Sequence, residues 1–176
     1  MKAGASTLSI ALLATLVIGS PACRTEGLSF REDERVEIVE PDDESIVSLP
    51  FQLRWTVKDF AVVGADGSDT DDAGYFAVLL DQVPQPPGES LSYFARDDEQ
   101  CSRSSGCPDE EYFADLGIYL TQQTSFDVTT LSDTRPVDRQ SAPDEHEITL
   151  ILLNGRGERI GESAFRVDIV VDRAQT

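Results

Sequence analysis

The stretch Phe51–Lys58 does most to limit what this chain can become. Phe51, Leu53, Trp55 and Val57 are apolar, and Gln52, Arg54, Thr56 and Lys58 between them are polar. An extended backbone sends successive side chains to opposite faces, so this pattern is a strand with one dry face and one wet face. Antiparallel sheets accommodate that arrangement, whereas wholly parallel sheets bury both faces. The alternation recurs along the chain. Val36 and Ile38 flank Glu37 before Pro41-Asp42-Asp43-Glu44 breaks the run, and Phe76, Val78 and Leu80 share a face within Tyr75–Asp81. Gly117–Thr121 and Ser125–Leu131 read as two further strands. Glu147–Leu153 and Ala164–Val171 form a last pair, with faces Ile148/Leu150/Leu152 and Phe165/Val167/Ile169/Val171, joined by the turn signal Asn154-Gly155-Arg156-Gly157. About seven short strands, with turn residues between them and almost no helical periodicity, predict an all-β chain built as an antiparallel β-sandwich.

Two connections stand out. Residues 59–74 read as a loop that ends in the acidic, glycine-rich run GADGSDTDDAG. Residues 82–115 form a long excursion that opens on Pro84-Gln85-Pro86-Pro87-Gly88 and contains two cysteines and four aromatics. A short helix is expected there at Pro108–Leu116, because proline suits a first helical turn and acidic residues suit a helix N-terminus.

The N-terminal stretch bears on compartment. Met1–Cys23 has a basic residue (Lys2), an apolar run Ile10–Ile18 and then Gly19-Ser20-Pro21-Ala22 before Cys23. The run is shorter than the roughly 20 residues that span a bilayer, and the order of segments is that of an export signal. The junction resembles a bacterial lipoprotein signal, which implies that Cys23 becomes a lipidated first residue. On that reading 1–22 is the signal, 23–34 a lipidated tether and 35–173 the folded domain. Eleven flexible residues after Cys23 average roughly 18 Å end to end, a short leash to the membrane. Cysteine parity agrees: with Cys23 carrying lipid, Cys101 and Cys107 remain as a pair in an oxidising compartment, where a disulfide is expected. A zinc site is disfavoured, since the chain offers one distant histidine besides that pair.

The chain has 33 acidic against 14 basic residues, a formal charge of −19 that becomes one unit more negative on loss of Lys2 with a signal. Nucleic acid and anionic lipid surfaces draw their affinity from Lys/Arg patches, so neither is an expected partner. Calcium is the one candidate cofactor. Asp66, Asp69, Asp71 and Asp72 put several hard oxygens on one glycine-bearing loop, although their spacing is not that of an EF-hand; a solvated acidic loop is the competing reading. Carboxylate pairs for glycan hydrolysis can always be drawn among so many acids, and need a defined separation. His146, the only histidine, has no nucleophile-type turn near it and reads better as a corner hydrogen bond or a plainly exposed side chain than as a catalytic base. Tyr93, Phe94, Tyr112 and Phe113 flank the cysteines. Exposed together they would make a platform for protein or glycan; packed down they would anchor the excursion, which is the favoured outcome for so long a loop.

Three segments resemble the fibronectin type III and bacterial immunoglobulin-like domains: LRWTV around Trp55, TSFDVTTL ending at Leu131, and HEITLILLNGRGERIGES from His146. The resemblance implies a sandwich of about seven strands in which 82–115 is an insertion and His146 stands where those domains commonly place a corner tyrosine. It implies architecture and no activity. The reading is therefore a non-enzymatic, lipid-anchored protein of the bacterial envelope that presents a binding or structural module to a membrane-proximal protein or glycan. The alternative is an extracytoplasmic hydrolase acting on envelope glycans through acidic residues.

Overall fold

The computed structural model describes residues 33–131 and 144–172; Cys23, the expected signal before it and most of the expected tether lie outside them. Among the described residues there are nine strands: β1 (Val36–Glu40), β2 (Ser45–Val47), β3 (Phe51–Val57), β4 (Ala61–Val62), β5 (Ala73–Leu80), β6 (Ile118–Thr121), β7 (Ser125–Val128), β8 (Glu145–Leu153) and β9 (Phe165–Val171). They form two sheets. One has the order β1-β3-β7; the other has the order β2-β9-β8-β5-β4, with β6 also paired to β5.

The all-β expectation holds, with two corrections. The seven segments with visible alternation are present as strands, and β2 and β4 are additional. Nor is the sheet wholly antiparallel, because β2 runs parallel to β9 and β4 parallel to β5. The physical reason is the break at Pro41–Glu44. After pairing with β3, the chain crosses to the other sheet and lies beside its last strand. Strands of two or three residues are too short to display a period.

Alternation on β3 translates directly into packing: Leu53 and Trp55 are buried while Gln52, Arg54 and Thr56 are exposed. Trp55 meets Phe76 of the facing sheet edge-on, with ring centroids 5.3 Å apart. Around them Val78, Leu80, Val128, Ile148, Leu150, Val167 and Ile169 close a core between the sheets.

On β5 the expected single apolar face is corrected to two. Every residue from Gly74 to Leu80 is buried. Tyr75, Ala77 and Leu79 point away from the first core and join Ile151, Leu153, Ile118 and Phe113 in a second one. The excursion covers this face, which explains why β5 and β8 read as nearly continuous apolar runs. Gly74 is needed for a separate reason: a Cβ there would overlap the carbonyl oxygen of Leu153.

The excursion itself holds a 3-10 helix at Leu91–Ala95 and two α-helices, α1 (Glu99–Arg103) and α2 (Glu110–Asp115). Each α-helix starts on an aspartate. Asp98 accepts from the backbone of Gln100 and Cys101, and Asp109 accepts from Tyr112, which satisfies amides that a helix start leaves free. α2 is the helix expected at Pro108–Leu116. Cys101 and Cys107 are joined as a disulfide across a Cα–Cα distance of 5.2 Å. The buried guanidinium of Arg159 donates to the carbonyl oxygens of Gln85 and Glu162, at 2.6 Å each, and so ties the start of the excursion to the 158–163 segment.

Candidate functional site

Three connections meet beyond the end of β5 at which Tyr75 sits. The first is the Asn154–Gly157 turn, organised by Asn154, whose side-chain oxygen accepts from the backbone N–H of Arg156 and of Glu158 at 3.0 Å each. The second is the acidic loop. The Gly67 N–H donates to Gly155 O at 2.9 Å, Arg156 Nε donates to Gly67 O at 3.2 Å, and the Arg156 guanidinium lies 3.1 Å from the Asp69 carboxylate. Gly155 is glycine because a Cβ would collide with the Asp66 carboxylate. The third is the 121–124 connection, where Thr121 Oγ1 accepts from Gln123 N at 3.0 Å and the Gln122 amide packs against Gly64.

Between the second and third connections runs an open groove of about 450 Å³, lined by Ala65, Tyr75, Leu120, Thr121, Gln122 and Gln123. None of these side chains is charged. Hydroxyls and primary amides both donate and accept, so the lining suits a ligand that does the same. Tyr75 is only 7 % exposed, and burial raises its phenol pKa. A second groove, about 440 Å³, lies between β1 and the start of β9, lined by Asp33, Ile38, Ser163, Ala164, Phe165 and Arg166.

The residues expected to carry function separate into distinct groups. Of the four aspartates weighed for calcium, Asp69 pairs with Arg156, and Asp66 accepts from Ser68 N, which lowers its pKa. Asp71 and Asp72 belong to the other end of the loop, where their backbone carbonyls accept from Arg35 and from Ala61. Among the described residues no three His, Cys, Asp or Glu side chains converge as metal ligands. In this arrangement Asp66 and Asp69 are engaged by Ser68 and Arg156.

Of the two arrangements weighed for the aromatics, the structure shows mainly the packed one. Phe113 is buried, and Phe94 and Tyr112 pack against the second core. Tyr93 stands outside that cluster, stacked under the Arg96 guanidinium at 3.7 Å, so the four rings do not form one exposed surface.

His146 is buried, and its Nδ1 lies 2.6 Å from an Asp81 carboxylate oxygen; the other oxygen accepts from Glu147 N at 3.0 Å. This pair joins the end of β5 to the start of β8, a corner tie made from different chemistry than a tyrosine. Its Nε2 has no hydrogen-bond partner and no access to solvent, which suits an anchor rather than a catalytic base. Asp81 carries no signal in sequence, since its partner lies 65 positions away. Gln122 and Gln123 were equally silent, read only as a connection between strands. In comparisons with known protein families, curated proteins and solved structures, nothing matched this chain.

Proposed function

We propose that the chain is an exported envelope protein, tethered by a lipid on Cys23, that presents an immunoglobulin-like β-domain for binding rather than catalysis. The observation that carries this reading is the Cys101–Cys107 disulfide. Stable disulfides belong to oxidising compartments, and the pairing leaves Cys23 as the one remaining cysteine, at the end of an export-type leader. Support for the immunoglobulin-like assignment comes from the chain's switch of sheets between β1 and β2, from Trp55 at the centre of the inter-sheet core, and from the buried tie at His146. The hydrolase alternative needs a carboxyl group whose pKa is pushed up to serve as acid. Among the described residues, the carboxyls with a resolved shift, Asp33, Asp66 and Asp98, all move down.

Fractionation of cells making the wild type and Cys23→Ser tests the proposal. The wild type should sediment with membranes and require detergent for release, and the variant should not. Equal release of both by a salt wash would overturn the anchor.

A further inference from the structure

We propose that the edge of β6 left unpaired among the described residues, together with the groove beside it, binds an extended polypeptide segment that adds to the sheet as a further strand at Leu120. The inference rests on the binding-module reading above and names its site and the chemistry of its partner. Its starting point is hydrogen-bond alternation. The Leu80 N–H donates to Gly117 O at 2.8 Å and the Asp81 N–H to Glu147 O at 2.9 Å. In an antiparallel ladder successive residues face opposite neighbours. Phe76, Val78 and Leu80 therefore face β6, and Tyr75, Ala77 and Leu79 face β8. Leu120 lies opposite Ala77, so its N–H and C=O turn away from β5, and β6 pairs with no other described strand.

An outward N–H and C=O pair at a sheet edge is a template for another strand. Leu120 and Thr121 also line the groove, which places this template beside it. The amides of Gln122 and Gln123 line it as well and can complement the peptide groups of an extended chain. A sugar would draw more on an aromatic face than on a backbone edge, and Tyr75, 7 % exposed, presents almost no face. Ala65, which also lines the groove, is followed directly by Asp66, an exposed aspartate whose pKa is lowered by its bond from Ser68. Arg156 is engaged with Asp69 rather than Asp66. With a net charge of −19 behind that rim, the favoured segment carries Lys or Arg next to an uncharged stretch.

The test uses the full chain purified in mild detergent and immobilised, with a random hexapeptide display library as probe and a panel of neutral oligosaccharides as counter-probe. Enriched peptides are then titrated against two variants. Leu120→Pro removes the outward N–H without costing a β5–β6 hydrogen bond, and edge strands tolerate proline. The double variant Gln122→Ala/Gln123→Ala leaves the backbone intact and covers the case in which the proline variant misfolds. The expected result is enrichment of Lys/Arg-containing peptides whose affinity falls about tenfold or more in each folded variant, with slowed hydrogen exchange at the Leu120 amide in the wild-type complex. Peptides that bind all variants equally, no enrichment at all, or binding of oligosaccharides in their place would each overturn the proposal. Failure of the lipid anchor is read separately, from the mass of the N-terminus, and does not enter this assay.

Discussion

At the scale of single residues, the fold depends on a few groups that have no substitute. Asp81 adopts a positive φ of 55° at the end of β5, and its carboxylate serves both the His146 ring and Glu147 N. Asp81→Ala strands two donors, at about 1–3 kcal/mol for each buried group left unpaired. Asp81→Asn keeps an acceptor and tolerates the backbone geometry, so urea denaturation should find it clearly milder than the alanine variant. Gly74→Ala should cost at least about 2 kcal/mol, because the added methyl meets the Leu153 carbonyl and Asn154 Cα, which are backbone and cannot swing aside. Asp33 provides a pH signature. Its pKa is held low by the Arg35 hydrogen bond, so its contribution is present above the unfolded value of about 3.9 and is lost as pH falls through the folded one. Asp33→Asn should lower stability at neutral pH and flatten the decline between about pH 5 and pH 2, as followed by thermal unfolding.

At the scale of elements, legibility followed pattern length and wetness. β3 was readable because seven residues alternate between a buried and an exposed face. β5 was readable as a strand but only half understood. Its second apolar face is explained by the excursion, and the covering side chain of Phe113 comes from far along the chain. β2 and β4 exist only because a neighbouring strand pairs with them, which no local pattern announces. α2 was legible from its acidic start, whereas α1, five residues long, depends on the Asp98 cap and the disulfide. Helices this short are marginal without tertiary support. The seven-residue ring closed by Cys101–Cys107 is worth about 2.4 kcal/mol in the chain-entropy view. Reduction should accordingly speed hydrogen exchange at Gln100–Ser104 by about tenfold or more while leaving β5 and β8 protected.

At the scale of the whole molecule, two cores share β5 and β8 as a common wall. One core holds the sheets together, and the other fastens the excursion. The acidic loop meets the 154–157 turn through Arg156, which donates to Gly67 O and pairs with Asp69. The groove was not legible, because its lining comes from three separate stretches and its open edge is a consequence of ladder parity. The link from these observations to the proposed function is the cysteines: Cys101 and Cys107 form a local brace, and Cys23 is the proposed lipid attachment point. Intact-mass spectrometry of the protein from its native cells, after blocking free thiols without reduction, tests that account most directly. The predicted result is a chain beginning at Cys23, carrying the mass of a diacylglyceryl group, with Cys101 and Cys107 unlabelled. A chain that retains Met1, or one with Cys23 unmodified by lipid and Cys101 and Cys107 labelled as free thiols, would contradict it.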